Sequence, residues 1–193
     1  VRIQSYPLKE SKLSKNLVIE IFTTNYDPII ENVCDRLNIS YADGFMPKGN
    51  TGYVTWTPES LNSQRLNLFK LHGSITWYKD PIGGIIKFPI DISNTKDVQS
   101  VIIYPTEYKE LFNPPFNRLH FEFSKSIINS TNCLAIGHSF RDPYTRELLS
   151  EKIKQEGYKL TIIDPIAKSI KKHKFGNSRK VIAECIKIEN WVE

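Results

Sequence analysis

Val18-Ile19-Glu20-Ile21-Phe22, Thr23-Thr24-Asn25-Tyr26 and Asp27-Pro28 follow one another as a short apolar run, a polar turn and an Asp-Pro pair. The same order recurs twice. Leu134-Ala135-Ile136 leads through Gly137 to Arg141 into Asp142-Pro143, and Leu160-Thr161-Ile162-Ile163 runs straight into Asp164-Pro165. Near-continuous apolar runs of this length suit parallel strands covered on both faces. An Asp side chain accepts hydrogen bonds from the free N–H groups of a helix's first turn. Pro is tolerated next because its missing N–H has no partner there. Each Asp-Pro therefore predicts a helix start. After the first, Ile30, Val33, Cys34 and Leu37 fall at helical spacing and are expected to bury one face. Strand, turn and helix repeated in this way give an open α/β sheet of Rossmann type, mostly parallel, with helices on both faces. The three turns then lie at the carboxyl ends of their strands, where such sheets bind ligands.

The intervening chain reads differently. Residues 39–65 carry Gly44, Pro47, Gly49, Gly52 and Pro58 with little periodicity, which predicts a lid-like surface loop. Leu66 to Leu71 reads as a strand ending at His72-Gly73. Ile75 to Tyr78 and Ile85 to Phe88, joined across Asp80-Pro81-Ile82-Gly83-Gly84, predict a β-hairpin insertion over 74–90. Val101 to Tyr104 is read as a strand, Pro115 to Ile128 as a helix and Val181 to Ile188 as a final strand. The whole, residues 1–193, is expected to form one domain.

Composition narrows the function. No apolar run approaches the roughly 20 residues that span a bilayer, and the N-terminus lacks signal-peptide architecture, so a cytoplasmic protein is expected. The formal charge of +5 is spread along the chain. Its densest cluster, Lys168, Lys171, Lys172, Lys174, Arg179 and Lys180, reads as a solvated helix face and loop rather than a nucleic-acid site. The three cysteines, Cys34, Cys133 and Cys185, lie far apart with no Cys-x-x-Cys, so neither a disulfide framework nor a zinc site is expected.

Three segments stand out: Thr23-Thr24-Asn25-Tyr26-Asp27, then Lys70-Leu71-His72-Gly73-Ser74 with Trp77, then Gly137-His138-Ser139-Phe140-Arg141-Asp142-Pro143. In this order they resemble the sirtuin-like NAD hydrolase domains of bacterial antiphage defence proteins. The related sirtuin deacylases show Gln-Asn-Ile-Asp, His-Gly and Gly-Thr-Ser segments. The resemblance runs from about residue 17 to the end and takes in Ile102-Ile103-Tyr104-Pro105 and Ile162-Ile163-Asp164-Pro165. It implies that Asn25 positions the attacking group or water beside the nicotinamide ribose. Asp27 then belongs to the nicotinamide pocket, and His72 is the catalytic histidine facing that ribose. Thr24, Gly137 and Ser139 fall on the NAD-binding side, the last two in the turn that holds adenosine. Asp164 stands where sirtuins often carry an asparagine for the adenine ribose.

The expected activity is NAD hydrolysis to nicotinamide and ADP-ribose, with NAD as substrate and no metal. A protein deacylase or ADP-ribosyl transferase is one alternative, and a non-catalytic NAD or ADP-ribose sensor is another. A homo-oligomer, or a fused or partner sensor domain, is the expected association. Two departures from the family pattern matter. The zinc-binding cysteine pairs of sirtuin deacylases are not found after His72, which favours the hydrolase branch. No Gly-rich phosphate turn precedes the first strand, so an N-terminal strand and turn are expected to be missing from this sequence. The bland readings make Asp27, Asp142 and Asp164 helix caps, and His72 a structural histidine. Trp77, Tyr78 and Phe88 read as hairpin packing and Arg141 as a phosphate contact or surface ion pair. His138 receives no chemistry, and His120 and His173 are read as incidental.

Overall fold

The computed structural model describes residues 18–49, 53–80, 83–88, 100–103 and 113–185, which fall into two compact units, one ending at Phe123 and the next beginning at Ser124. The fold is mixed α/β, with parallel and antiparallel sheets and four α-helices among the described residues.

In the first unit, strand β1 (Ile19–Thr23) pairs in parallel with β4 (Leu66–Lys70), from Ile19 opposite Leu66 to Thr23 opposite Lys70. Four successive β4 residues, Asn67 to Lys70, are buried, as the apolar run Leu66–Leu71 requires, and Phe22 stacks on Phe69 with ring centroids 4.4 Å apart. Helix α1 (Ile29–Arg36) follows β1. Its buried face departs from expectation: Leu37 lies beyond the helix and is 55 % exposed, while Glu31 is buried. The reason is a charge partner, because buried Lys70 draws the Glu31 carboxylate inward.

Residues 39–65, expected as a loop, contain β2 (Phe45–Pro47), β3 (Val54–Trp56) and a 3₁₀ turn at Pro58–Ser60. These strands join β5 (Gly73–Lys79), β6 (Ile85–Lys87) and β7 (Ser100–Ile102) in an antiparallel sheet of order β2-β3-β6-β5-β7. The β5–β6 pair occupies the predicted hairpin positions, although Pro81 and Ile82 lie outside the described residues, as does Tyr104 beyond β7. An aromatic cluster explains why a stretch without periodicity orders. Phe45 lies 5.5 Å from Trp56 and 4.9 Å from Trp77, centroid to centroid. Gly44, at φ +86°, makes room for it, since a Cβ there would sit 2.2 Å from the Trp56 ring. Lys87 pairs with Asp43 at 2.5 Å and lies 5.6 Å from the centre of the Tyr41 ring. Burial resists the Lys87 charge, but Asp43 outweighs it and raises the ammonium pKa. Burial, the leading cause, pushes the Tyr41 hydroxyl up to about 12.

The boundary between the units falls within helix α2 (Phe116–Asn129). In the second unit, β8 (Asn132–Ile136), β9 (Lys159–Ile163) and β10 (Val181–Glu184) form a parallel sheet of order β10-β9-β8. The predicted continuation of β10 to Ile188 lies outside the described residues from position 186 onward. One face buries Leu160, Ile162 and Val181, whereas Leu134, Ile136 and Ile182 on the alternate positions are exposed. Helices α3 (Pro143–Lys154) and α4 (Ala167–Phe175) follow β8 and β9. Only one of the three Asp-Pro pairs starts its helix as expected. Asp142 caps α3, accepting from Thr145 N at 2.7 Å with Pro143 at the first helical position. Asp27 instead accepts from Ile29 N at 3.1 Å, and Asp164 from Ile166 N at 2.8 Å. Each closes a two-residue turn, and its helix begins later, at Ile29 or Ala167.

Gly73 has φ +83°, and a Cβ on it would sit 2.0 Å from the Val101 carbonyl oxygen. Gly73→Ala combines left-handed strain with a backbone clash, and is expected to cost roughly 2–4 kcal/mol. Urea unfolding of the variant checks it. Tyr41 supplies a second test. Its folded pKa, about 12, lies above the ordinary 10.0, so its contribution is full below pH 10 and lost as pH rises through 12. Tyr41→Phe is expected to flatten the fall in stability over that window, read from melting temperatures at stepped alkaline pH.

Candidate functional site

The parallel pairing of β1 and β4 decides where the polar residues emerge. Beyond Thr23 opposite Lys70, Leu71 N donates to Thr23 O at 2.9 Å and carries the pairing one step further. The chain then leaves β1 through Thr24, Asn25, Tyr26 and Asp27, and leaves β4 through His72, at the same sheet end. The Asn25–Asp27 turn is pinned at several points. Asn25 N donates to Thr23 Oγ1 at 3.1 Å. The Tyr26 hydroxyl donates to Ile103 O at 2.8 Å, and the Tyr26 carbonyl accepts from Ile75 N and from Ser74 Oγ, each at 3.1 Å. Lys70 Nζ donates to the Asp27 carbonyl. With the main chain held, the Asn25 side chain remains exposed, and Thr24 to Asp27 with Ile75 line an open cleft of about 450 Å³.

His72 is half-buried, and its carbonyl accepts from Ile103 N at 3.0 Å. Its imidazole lies nearly parallel to that of His120 on α2, centroids 6.4 Å apart at 26°. His120, incidental by sequence pattern, stacks beside the His72 ring in the structure. A signal existed: Phe116, Leu119, Phe123 and Ile127 recur at helical spacing and are buried, and position 120 borders that face. Lys70 stands in a segment singled out by sequence but carries no role there, and Glu31 is not singled out, since a lysine ending an apolar strand and a glutamate in a first helical turn both look solvated by pattern alone.

The second unit carries the other group. Gly137, at φ +63°, follows β8 and donates its N–H to Ile163 O at 2.9 Å, while Asp164 follows β9 and donates its N–H to Glu184 O at 3.2 Å. Gly137, Ser139 and Asp164 are thus gathered at the carboxyl ends of β8 and β9. His138 shapes this turn: its Nδ1 accepts from Phe140 N at 3.1 Å, and Phe140, at φ 53°, is buried against Phe175 at 5.1 Å. Arg141 is exposed, and Trp77 and Tyr78 are buried in the antiparallel sheet. Thr24, Asn25, Asp27 and His72 therefore come together in one unit, and Gly137, Ser139 and Asp164 in the other. Among the described residues no group of three or more His, Cys, Asp or Glu is placed to hold a metal ion, and no helix is long and apolar enough to cross a membrane.

Polar turns at the carboxyl ends of parallel strands stand where open α/β sheets bind their ligands. The chain matches the SIR2-like domain family over residues 19–182, and it belongs to that family. SIR2-like domains use NAD. No curated protein matches the chain.

The Tyr26 hydroxyl bond to Ile103 ties the turn to the chain just beyond β7. Tyr26→Phe is expected to cost about 1 kcal/mol and leave the fold intact, as measured by urea denaturation alongside circular dichroism.

Proposed function

We propose that the domain hydrolyses NAD at the bond between nicotinamide and ribose, releasing nicotinamide and ADP-ribose. The observation that carries this reading is the emergence of Asn25 and His72 from adjacent parallel strands β1 and β4, at one sheet end, in a chain of the SIR2-like family. Nicotinamide in NAD is a cationic pyridinium. When the ribose C1′–N bond breaks, the bonding pair goes to the ring nitrogen and the leaving group departs neutral. No acid is needed to protonate it, unlike the two-carboxylate arrangement of ordinary glycoside cleavage. What remains is to position one nucleophile against an oxocarbenium-like carbon. The Asn25 carboxamide orients a water whose oxygen forms the new bond to C1′. His72, with an imidazole suited to proton transfer near neutral pH, takes the proton from that water or from a ribose hydroxyl.

By the same resemblance, Asp27 is assigned to the nicotinamide, and Thr24, Gly137 and Ser139 to NAD binding. The space around a Cβ at Gly137 is open, so its backbone can be approached closely. Asp164 suits the adenine ribose, because its carboxylate has acceptor capacity beyond the bond from Ile166 N and ribose hydroxyls are donors. The resemblance of the Asn25, His72 and Gly137 segments to antiphage defence domains extends the proposal. In this reading the domain is a cytoplasmic effector, switched on through self-association or a fused or partner sensor.

Asn25→Ala and His72→Ala are each expected to lower nicotinamide release by about 10²–10⁴ while leaving the fold intact, as read by chromatography of the activated protein with NAD. Wild-type rates in both folded variants would remove these residues from the mechanism. Tight NAD binding with NAD left intact in the wild type would favour the sensor reading. Acetyl-lysine peptides incubated with NAD are expected to keep their acetyl groups by mass spectrometry, and robust NAD-dependent loss would favour a deacylase.

A further inference from the structure

An ion pair that the proposed chemistry does not use lies directly against the Asn25–Asp27 turn. Lys70, the last residue of β4, is 1 % exposed, and Glu31, in the first turn of α1, is 3 % exposed. Lys70 Nζ stands 3.3 Å from Glu31 Oε1 and also donates to the Asp27 carbonyl. Burial holds the Lys70 ammonium below the usual lysine range, and the Glu31 and Asp27 charges offset this only in part. Taking both charges out of water costs several kcal/mol per ion, and apolar residues of similar volume commonly serve stability as well or better. Stability alone is thus a poor account of the pair. Its location supplies a better one. One ammonium joins three parts of the site: the strand that delivers His72 two residues later, the main chain of Asp27, and the helix that follows the turn.

We infer that Lys70, held in place by Glu31, is a positioning residue that fixes the Asn25–Asp27 turn relative to His72. The link is mechanical. The two donors on the Tyr26 carbonyl, Ile75 N and Ser74 Oγ, hold the middle of the turn from the β5 side. The Lys70 ammonium holds its far end at Asp27 from the β4 side. Without the anchor at Asp27 that end of the turn is released from β4, and the exposed Asn25 carboxamide, two residues earlier, is placed less firmly. As a statement about catalysis this rests on the NAD-cleavage reading; as a statement about the turn it stands alone. A built-in comparison exists in the same unit. Half-buried Lys87 and buried Asp43 form another pair at 2.5 Å, but Asp43 bonds to Phe45 N at 3.2 Å, in the antiparallel sheet rather than the turn.

The test uses the full chain carrying Lys70→Met with Glu31→Leu, and separately Lys87→Met with Asp43→Asn. It reads melting temperature, kcat and KM for NAD, and hydrogen exchange of the Asn25 and Ile29 amides. The Lys70/Glu31 variant is expected to melt close to wild type, since the pair is replaced rather than broken. Its kcat is expected to fall about 10–100-fold with KM within about threefold, because a displaced orienting group costs rate more than binding. Exchange at Asn25 and Ile29 is expected to quicken by about tenfold or more, with the Lys87/Asp43 variant near wild type in both readouts. Wild-type kcat and exchange in the Lys70/Glu31 variant would overturn the inference, and so would equal losses in the two variants. Should the double replacement fail to fold, Lys70→Arg keeps the charge but shifts the donors. Reduced kcat at unchanged KM then supports the inference, and wild-type kinetics overturn it. If the wild-type protein cleaves no NAD, the reaction reading has failed, and the exchange data alone decide whether Lys70 holds the turn.

Discussion

Parallel pairing between β1 and β4 is the constraint on which the first unit turns. Residues far apart in sequence, Thr23 and Lys70, are set opposite one another, and the Leu71 N to Thr23 O bond carries that alignment past the strand ends. Side chains alternate along a strand, so a slip of one residue would drive Asn67, Leu68, Phe69 and Lys70 to the wrong faces. The register is held by more than the ladder. Asn67, fully buried, donates through Nδ2 to Gln64 O at 2.9 Å, and Ala42 brackets the same strand by donating to Leu66 O and accepting from Leu68 N. Such a strand cannot slide without stranding buried polar groups, each worth about 1–3 kcal/mol.

From this alignment the site follows with little further specification. Asn25 and His72 need no long-range folding event of their own, since each lies two residues past a paired strand position. The antiparallel sheet adds the next layer: β5 begins at Gly73, directly after His72, and the chain beyond β7 returns to bond both the His72 carbonyl and the Tyr26 hydroxyl through Ile103. Gly73 is the price of that closeness, for no side chain fits where Val101 passes. The sheet therefore braces both the turn after β1 and the chain after β4 from one side.

How far this was legible in the sequence can be argued residue by residue. Strands β1, β8 and β9 announced themselves, because near-continuous apolar runs ending in polar turns have few other physical solutions. The gathering of Gly137 with Asp164, and of Asn25 with His72, followed from placing those turns at strand ends. Residues 39–65 were opaque for a different reason. Strands of three residues show no alternation, and what orders them is an aromatic cluster of Phe45, Trp56 and Trp77 contributed by separate segments. Helix starts at Asp27 and Asp164 were misplaced because the Asx turn and the helix cap share one sequence signature. Glu31 was unreadable in principle. Helical periodicity records where apolar side chains point, and it carries no information about a buried lysine delivered by another strand.

That lysine also bears on what the cleft can do electrostatically. In the proposed reaction the ribose carbon gains positive charge as the nicotinamide leaves. A lone ammonium buried behind Asp27 would oppose that change, and low polarisability inside the protein would make the opposition stronger than in water. Lys70 is not alone: the Glu31 carboxylate at 3.3 Å offsets its charge, so from the cleft the pair presents a dipole rather than a cation. A neutral donor at the same place would hold the Asp27 carbonyl less firmly, because charge-assisted hydrogen bonds are roughly twice as strong. An ammonium paired behind the turn thus combines a strong anchor with a weak field, which suits the proposed reaction, in which one water is placed beside a developing cation.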